Sequence, residues 1–230
     1  MLVVALLLRL PGLFSFDLWQ DEIYSIYEAR YLHRSPIGPG GMELRPLYFL
    51  LLHPLADAWP RATALLRLPS LLFGLAGIVA TWWLTRRYAG RPAAFIALVV
   101  VTLLPFHINA SQMLRWISLV FLLGAMLTDA VIRAMESDAR RHHLATLGLV
   151  LAGSLTHITF LMPQTGLVLG AHLIRDDGRP GFRWPTRRAL LWCWLPYLAV
   201  LGAYYAVLFA ALPTERDARH PARGGCHSSP

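Results

Sequence analysis

Long apolar runs alternate with short clusters of arginine along most of this chain. Leu68 to Thr85 and Pro92 to Leu114 carry no charged residue, Trp116 to Ile132 is interrupted only by Asp129, and Ala189 to Thr214 forms a further run. A helix needs about 20 residues to cross a hydrocarbon core of roughly 30 Å, so each run predicts a membrane-spanning helix. Leu144 to Ile174 is different. Its 31 uncharged residues would make a helix of about 46 Å, too long for one span and short for two.

The charged turns set the count. Arg86, Arg87 and Arg91 form one basic turn, Arg133, Arg140 and Arg141 a second, and Arg175, Arg179, Arg183, Arg187 and Arg188 a third. The positive-inside rule puts all three on the cytoplasmic face, which requires an even number of crossings between Leu144 and Ile174. Two short helices meeting near Thr156-His157 satisfy it. Backbone that leaves the helix at that depth needs protein or a wet cavity around it, so this turn is a candidate cavity wall. The segment from Asp17 to Arg61, the stretch from Phe106 to Arg115 and the Thr156-His157 turn then lie together outside. The predicted fold is all-α, a polytopic transmembrane helical bundle of about seven spans with its N-terminus in the cytoplasm.

Composition agrees: 56% of residues are hydrophobic and 15% charged, against about a quarter charged in a soluble domain. The net charge of +8 comes from arginine alone. Because the arginines cluster between apolar runs, they read as cytoplasmic loops and not as a nucleic-acid surface. Two cysteines, Cys193 and Cys226, make neither a disulfide framework nor a metal site, and no structural metal is expected from His33, His142 and His143. No cofactor is expected. The start lacks the basic region and cleavage site of a signal peptide. Arg9 leaves Met1 to Phe16 as a short crossing, which predicts either a natural chain that begins upstream or a fragment. Residues 213–230 are polar, rich in Arg, Gly and Pro, and without periodicity, and they read as a disordered tail or a broken reading frame.

The candidate chemistry sits in the first outer loop, about residues 17–61. Asp21 and Glu22 are two carboxylates at a bilayer surface, suited to proton transfer or cation binding. Ile23, Ile26, Tyr27, Arg30 and Tyr31 recur at helical spacing, so this part predicts an amphipathic helix on the membrane surface. Neighbours on a helix point about 100° apart, so Asp21 and Glu22 cannot both face one point. The structural alternative makes Asp21 an N-cap and Glu22 a partner of the helix dipole. Pro36 to Gly41 is a loop, and Glu43 beside Arg45 is either a solvated ion pair or part of the site. His53, in an apolar run, reads as a packed histidine. Arg115, after Ser111-Gln112, either snorkels to headgroups or holds a phosphate.

Leu18-Trp19-Gln20-Asp21-Glu22, Arg45-Pro46-Leu47-Tyr48, Leu66-Arg67-Leu68-Pro69-Ser70-Leu71-Leu72-Phe73-Gly74, Pro105-Phe106-His107, Ser111-Gln112 with Arg115, and Leu155-Thr156-His157 occur in this order. Together they resemble the membrane part of the GT-C glycosyltransferases; the likeness runs from about Arg9 to Ile174, within an expected transmembrane domain of residues 1–212. The nearest resemblance is to the bacterial protein mannosyltransferase-like members (family 39), relatives of the aminoarabinose transferase. The resemblance implies a bacterial inner-membrane enzyme with an extracytoplasmic active face. It would transfer a sugar from a polyprenyl-phosphate-linked donor to an acceptor glycan, lipid or protein. It makes Asp21 the catalytic base with Glu22 beside it, and assigns Glu43, Gln112, Arg115 and His157 to substrate binding or cavity shape; Arg45 joins them, on its own chemistry, as a second guanidinium for the donor phosphate. Arg45, Ile117 and Ile158 stand where the family has proline, an aromatic residue and tyrosine. The family also continues past this chain, so the alternatives are a truncated, inactive relative or a lipid or solute carrier.

Overall fold

The computed structural model describes residues 1–15, 17–31, 46–160, 167 and 186–211. Glu43, Arg45, the Pro36 to Gly41 loop, the Arg175 to Arg183 cluster and the tail lie outside the described residues. Among the described residues all regular structure is helical: α1 Leu2–Ser15, α2 Gln20–Arg30, α3 Pro46–Ala58, α4 Thr63–Leu103, α5 Pro105–Gln112, α6 Ile117–Ser137, α7 Arg140–Thr156 and α8 Leu195–Ala211. A 3-10 turn, Ile158–Phe160, follows α7, and a π turn, Leu190–Trp194, leads into α8.

Helix α4 is two arms. Gly90 breaks it with φ 86° and ψ 177°, a backbone region open in practice only to glycine. The second arm turns back alongside the first. Arg9 bonds to the carbonyl of Thr102, late in the second arm, and to Ser111 Oγ. Ser111 in turn packs against Gly74 in the first arm. A straight α4 would carry Thr102 about 40 Å from Gly74. The basic turn expected at Arg86 to Arg91 is therefore a real reversal of the chain.

Helix α6 runs parallel to the first arm: Gly77 meets Phe121 near one end, and Arg87 meets Glu136 near the other. Helix α7 returns, so residues 86–91 and 133–143 share one end of the bundle while residues 112–117 and 156–160 share the other. Asp138, in the left-handed region at φ 44°, closes α6 and accepts hydrogen bonds from His143 Nε2 and Thr186 Oγ1. The core gathers Tyr48, Phe49 and Leu52 of α3 with Leu66, Leu123 and Leu127, plus Val150 and Phe160.

The outward faces are also apolar. Val3, Leu7 and Phe14 on α1, Phe95 and Ile96 on the second arm, and Leu198 on α8 are all exposed. A helix apolar all round calls for an apolar surrounding. Two described helices, Thr63–Leu103 and Ile117–Ser137, are long and apolar enough to cross a membrane. Helix α7 ends at Thr156 as the charge pattern requires, and the second short helix expected after it falls outside the described residues.

Candidate functional site

The acidic pair divides as helix geometry demands. Trp19 precedes α2, and the Glu22 carboxylate reaches back to accept the Trp19 N–H at 3.1 Å. That is the glutamate half of a capping box, and Trp19 has no acceptor with which to make the other half. Asp21, expected as the cap in the structural reading, sits inside the first turn instead. Glu22 is fully buried. Its two oxygens take Arg67 Nε at 2.9 Å and Nη2 at 2.7 Å, and Oε1 also accepts the Leu114 N–H at 2.7 Å. Burial pushes the Glu22 carboxyl up. The Arg67 fork and the Leu114 and Trp19 N–H groups outweigh burial and hold it below its ordinary value.

Arg67 completes this junction. It also donates to the carbonyls of Gly12, Leu13 and Asp17, so its charge sits at the C-terminal end of α1, where the helix dipole is negative. One buried ion pair therefore ties α1, α2, α4 and the link between α5 and α6. A signal for Arg67 was present in the sequence: an arginine inside an apolar stretch needs a carboxylate partner, and acids lie in the preceding segment of residues 17–61.

This clamp positions Asp21. Leu114 and Arg115 are neighbours, as are Glu22 and Asp21, so fixing Glu22 on the Leu114 N–H brings Asp21 beside Arg115. Their Oδ2 and Nη2 atoms are 3.3 Å apart, with the Asp21 side chain 69% exposed. Arg115 Nη1 also donates to the Asp21 carbonyl at 3.5 Å, and Ser70 Oγ holds the Arg115 carbonyl at 3.2 Å. The next residue, Trp116, stacks on His157 at 3.5 Å between centroids and 13° between planes. His157 Nδ1 accepts the Thr159 N–H, which fixes the ring on the turn after α7. Asp21, Arg115, Trp116 and His157 thus gather at one end of the bundle, opposite the arginine turns.

Comparison with family models, curated proteins and solved structures finds no match. The GT-C resemblance therefore rests on the motifs alone.

Gln112 is turned inward. Its Nε2 donates to the carbonyls of Leu8 and Arg9, both at 3.1 Å, and a Cβ on Gly12 would overlap its amide. Gln112 joins α5 to α1 and does not face the exposed Asp21. Below it Arg9, read from sequence as a flaw in the first span, is fully buried and satisfied. It donates to Ser111 Oγ, to the carbonyls of Ala5, Val101 and Thr102, and to His107 Nδ1 at 2.9 Å. These groups supply what a charge inside an apolar bundle requires. His53 is packed as expected, with Nδ1 against the Ala29 carbonyl at 2.7 Å.

The exposed side of α2 carries Ile23, Tyr24 and Tyr27, with Trp19 exposed just before it, and its buried side carries Glu22, Ser25 and Ala29. Ile26 departs from the expected surface stripe and packs on the core. Among the described residues no three metal-ligating side chains cluster.

Proposed function

We propose that the chain is a GT-C-type membrane glycosyltransferase that moves a sugar from a polyprenyl-phosphate-linked donor to an acceptor hydroxyl. The acceptor belongs to a glycan, a lipid or a protein on the outer face of a bacterial inner membrane. One observation carries this reading: an exposed carboxylate, Asp21, held 3.3 Å from a guanidinium at the end of the bundle away from the arginine turns. Those turns belong on the cytoplasmic side by the positive-inside rule, which puts Asp21 outside, where nucleotide-activated sugars are absent and a lipid-linked donor is the available kind.

The chemistry assigned to these residues is direct. Asp21 takes the proton of the acceptor hydroxyl as its oxygen attacks the anomeric carbon. The bond from that carbon to the phosphate oxygen breaks, and the leaving polyprenyl phosphate gains negative charge. Arg115 offers a guanidinium fork to that charge, and Arg45, which departs from the family's proline, is a second candidate for it. Attack from the side opposite the phosphate inverts the anomeric centre. The stacked Trp116 and His157 rings give the same end a flat face suited to the C–H side of a sugar.

A carrier would need a charged residue deep in its spans, and Asp129, the candidate the sequence offers, lies near the arginine turns. It is engaged by Tyr88, Arg87 and Arg133, as a structural carboxylate would be. The test is sugar transfer from a labelled polyprenyl-phosphate donor in membranes holding the chain, with Asp21→Asn beside it. Transfer that falls by about 10²-fold or more in the variant, with equal protein in the membrane, is the expected result. Full transfer by Asp21→Asn removes the assignment. No transfer by the unaltered chain favours the truncated relative.

A further inference from the structure

At the end of the bundle away from Asp21, a groove of about 710 Å³ opens between the first arm of α4, α6 and α7. That volume is within the roughly 300–1,000 Å³ of small-molecule sites. Alanines at 76, 80 and 125 hold its walls apart, and the remaining wall is mostly apolar. Its polar groups, Asp129, Arg133 and His142, collect with Trp82 and Trp83 at the end nearest the arginine turns. The groove is thus apolar along its length and polar at its mouth.

Cations crowd that mouth. The Arg86 guanidinium lies 5.1 Å over the Trp82 ring, and Arg133 lies 5.1 Å over Trp83. Arg133 is paired with Asp129, and Arg87 with Asp129 and Glu136. Arg86 has no acidic partner within 4.0 Å among the described residues. Residues 86–91 and 129–143 together hold six arginines against three carboxylates, so the mouth carries surplus positive charge. Tryptophan at this level is the usual marker of the membrane–water boundary.

We propose that this groove binds an anionic glycerophospholipid, with one acyl chain between the helices and its phosphate on Arg86 beside Trp82. The wall from Leu122 to Arg133 is about 16 Å long at 1.5 Å per residue. One leaflet's share of the hydrocarbon core is about 15 Å. Length, apolar wall and charged mouth therefore match one lipid of the cytoplasmic leaflet, and the surplus charge selects an anionic headgroup over a zwitterionic one. The assignment needs the bundle to stand in a membrane and is independent of sugar transfer.

The purified full chain in detergent would be titrated with dioleoyl phosphatidylglycerol, dioleoyl phosphatidylcholine or glycerol phosphate, and bound lipid counted by native mass spectrometry. Phosphatidylglycerol is expected to bind at least about fivefold more tightly than phosphatidylcholine, and Arg86→Gln to remove that preference. Ala125→Phe, which fills the groove, is expected to reduce binding of both lipids, with its thermal unfolding followed alongside. Arg86 is exposed and outside the core, so its variant tests the headgroup contact whether or not the groove variant folds. Equal binding of the two lipids overturns the proposal, as does undiminished binding to a folded Ala125→Phe. Displacement of the lipid by glycerol phosphate would mean a free-anion site at the mouth only. A dimer that Ala125→Phe converts to monomer would mean that a second copy fills the groove. Either result overturns the lipid assignment.

Discussion

Glu22 and Asp21 differ by one position in the chain and by almost everything in their surroundings. A carboxylate taken out of water costs several kcal/mol unless paired, and Glu22 meets that cost with a two-point contact to Arg67 and two backbone N–H groups. Removing its charge leaves Arg67 buried beside a neutral partner. Glu22→Gln is therefore expected to destabilise the protein by about 3 kcal/mol, read by thermal unfolding in detergent. Asp21→Asn, at an exposed ion pair, is expected to shift stability by less than about 1 kcal/mol. The two variants thus separate a structural carboxylate from the one proposed as the base. Acid gives an independent reading. The Glu22 carboxyl is held below its ordinary value, so its contribution is complete above its unfolded pKa of about 4.3 and is lost as pH falls towards the folded value. Stability is expected to stay level from neutral to about pH 5 and to fall below about pH 4, with that fall smaller in Glu22→Gln. An equal acid-side loss in both proteins would show that other carboxylates govern it.

Two glycines set how the helices follow one another. Gly90 lets α4 reverse, and an alanine there would have to hold a φ of +86°. Gly90→Ala is expected to cost about 1–3 kcal/mol, while Ala89→Gly next to it, on the helix, costs under about 1 kcal/mol. Equal losses for the pair would mean that the reversal does not depend on the backbone of residue 90. Gly153 faces the Phe160 ring so closely that a Cβ would overlap it. Gly153→Ala is expected to move the turn carrying His157 and to cost about 1–3 kcal/mol. Under the proposed function it also lowers transfer, because the Trp116 and His157 rings separate.

Across the whole molecule, the two ends differ in charge and chemistry. Arginine turns and their ion pairs hold one end. At the other, α1, α2, the start of α4 and the link after α5 meet on the Glu22–Arg67 pair. Sidedness is open to direct measurement. In a background lacking Cys193 and Cys226, a membrane-impermeant maleimide is expected to label Tyr24→Cys in intact cells stripped of their outer membrane. Arg86→Cys should label only after the membrane is broken. Labelling of Arg86→Cys alone from outside would invert the topology and place Asp21 in the cytoplasm.

The helices and their turns were largely legible in the sequence, because uncharged run length and arginine spacing report helix length and chain reversal directly. The Arg86 to Arg91 turn, the Arg133 to Arg141 turn and the end of α7 at Thr156 all followed from those patterns, and the split between Asp21 and Glu22 followed from the roughly 100° between neighbours on a helix. Which carboxylate turned inward did not follow. That depended on Arg67, 45 residues along the chain, and on the free N–H of Leu114, which exists only because the helix breaks between α5 and α6. Arg9 and Gln112 were misleading for the same reason. Read along the chain, one was a break in a span and the other a polar residue near a site. Read in space, each satisfies partners about a hundred residues away. Apolar patterning is a property of neighbouring residues and survives in one dimension, whereas a buried charge is defined by whatever surrounds it, and only the folded bundle supplies that.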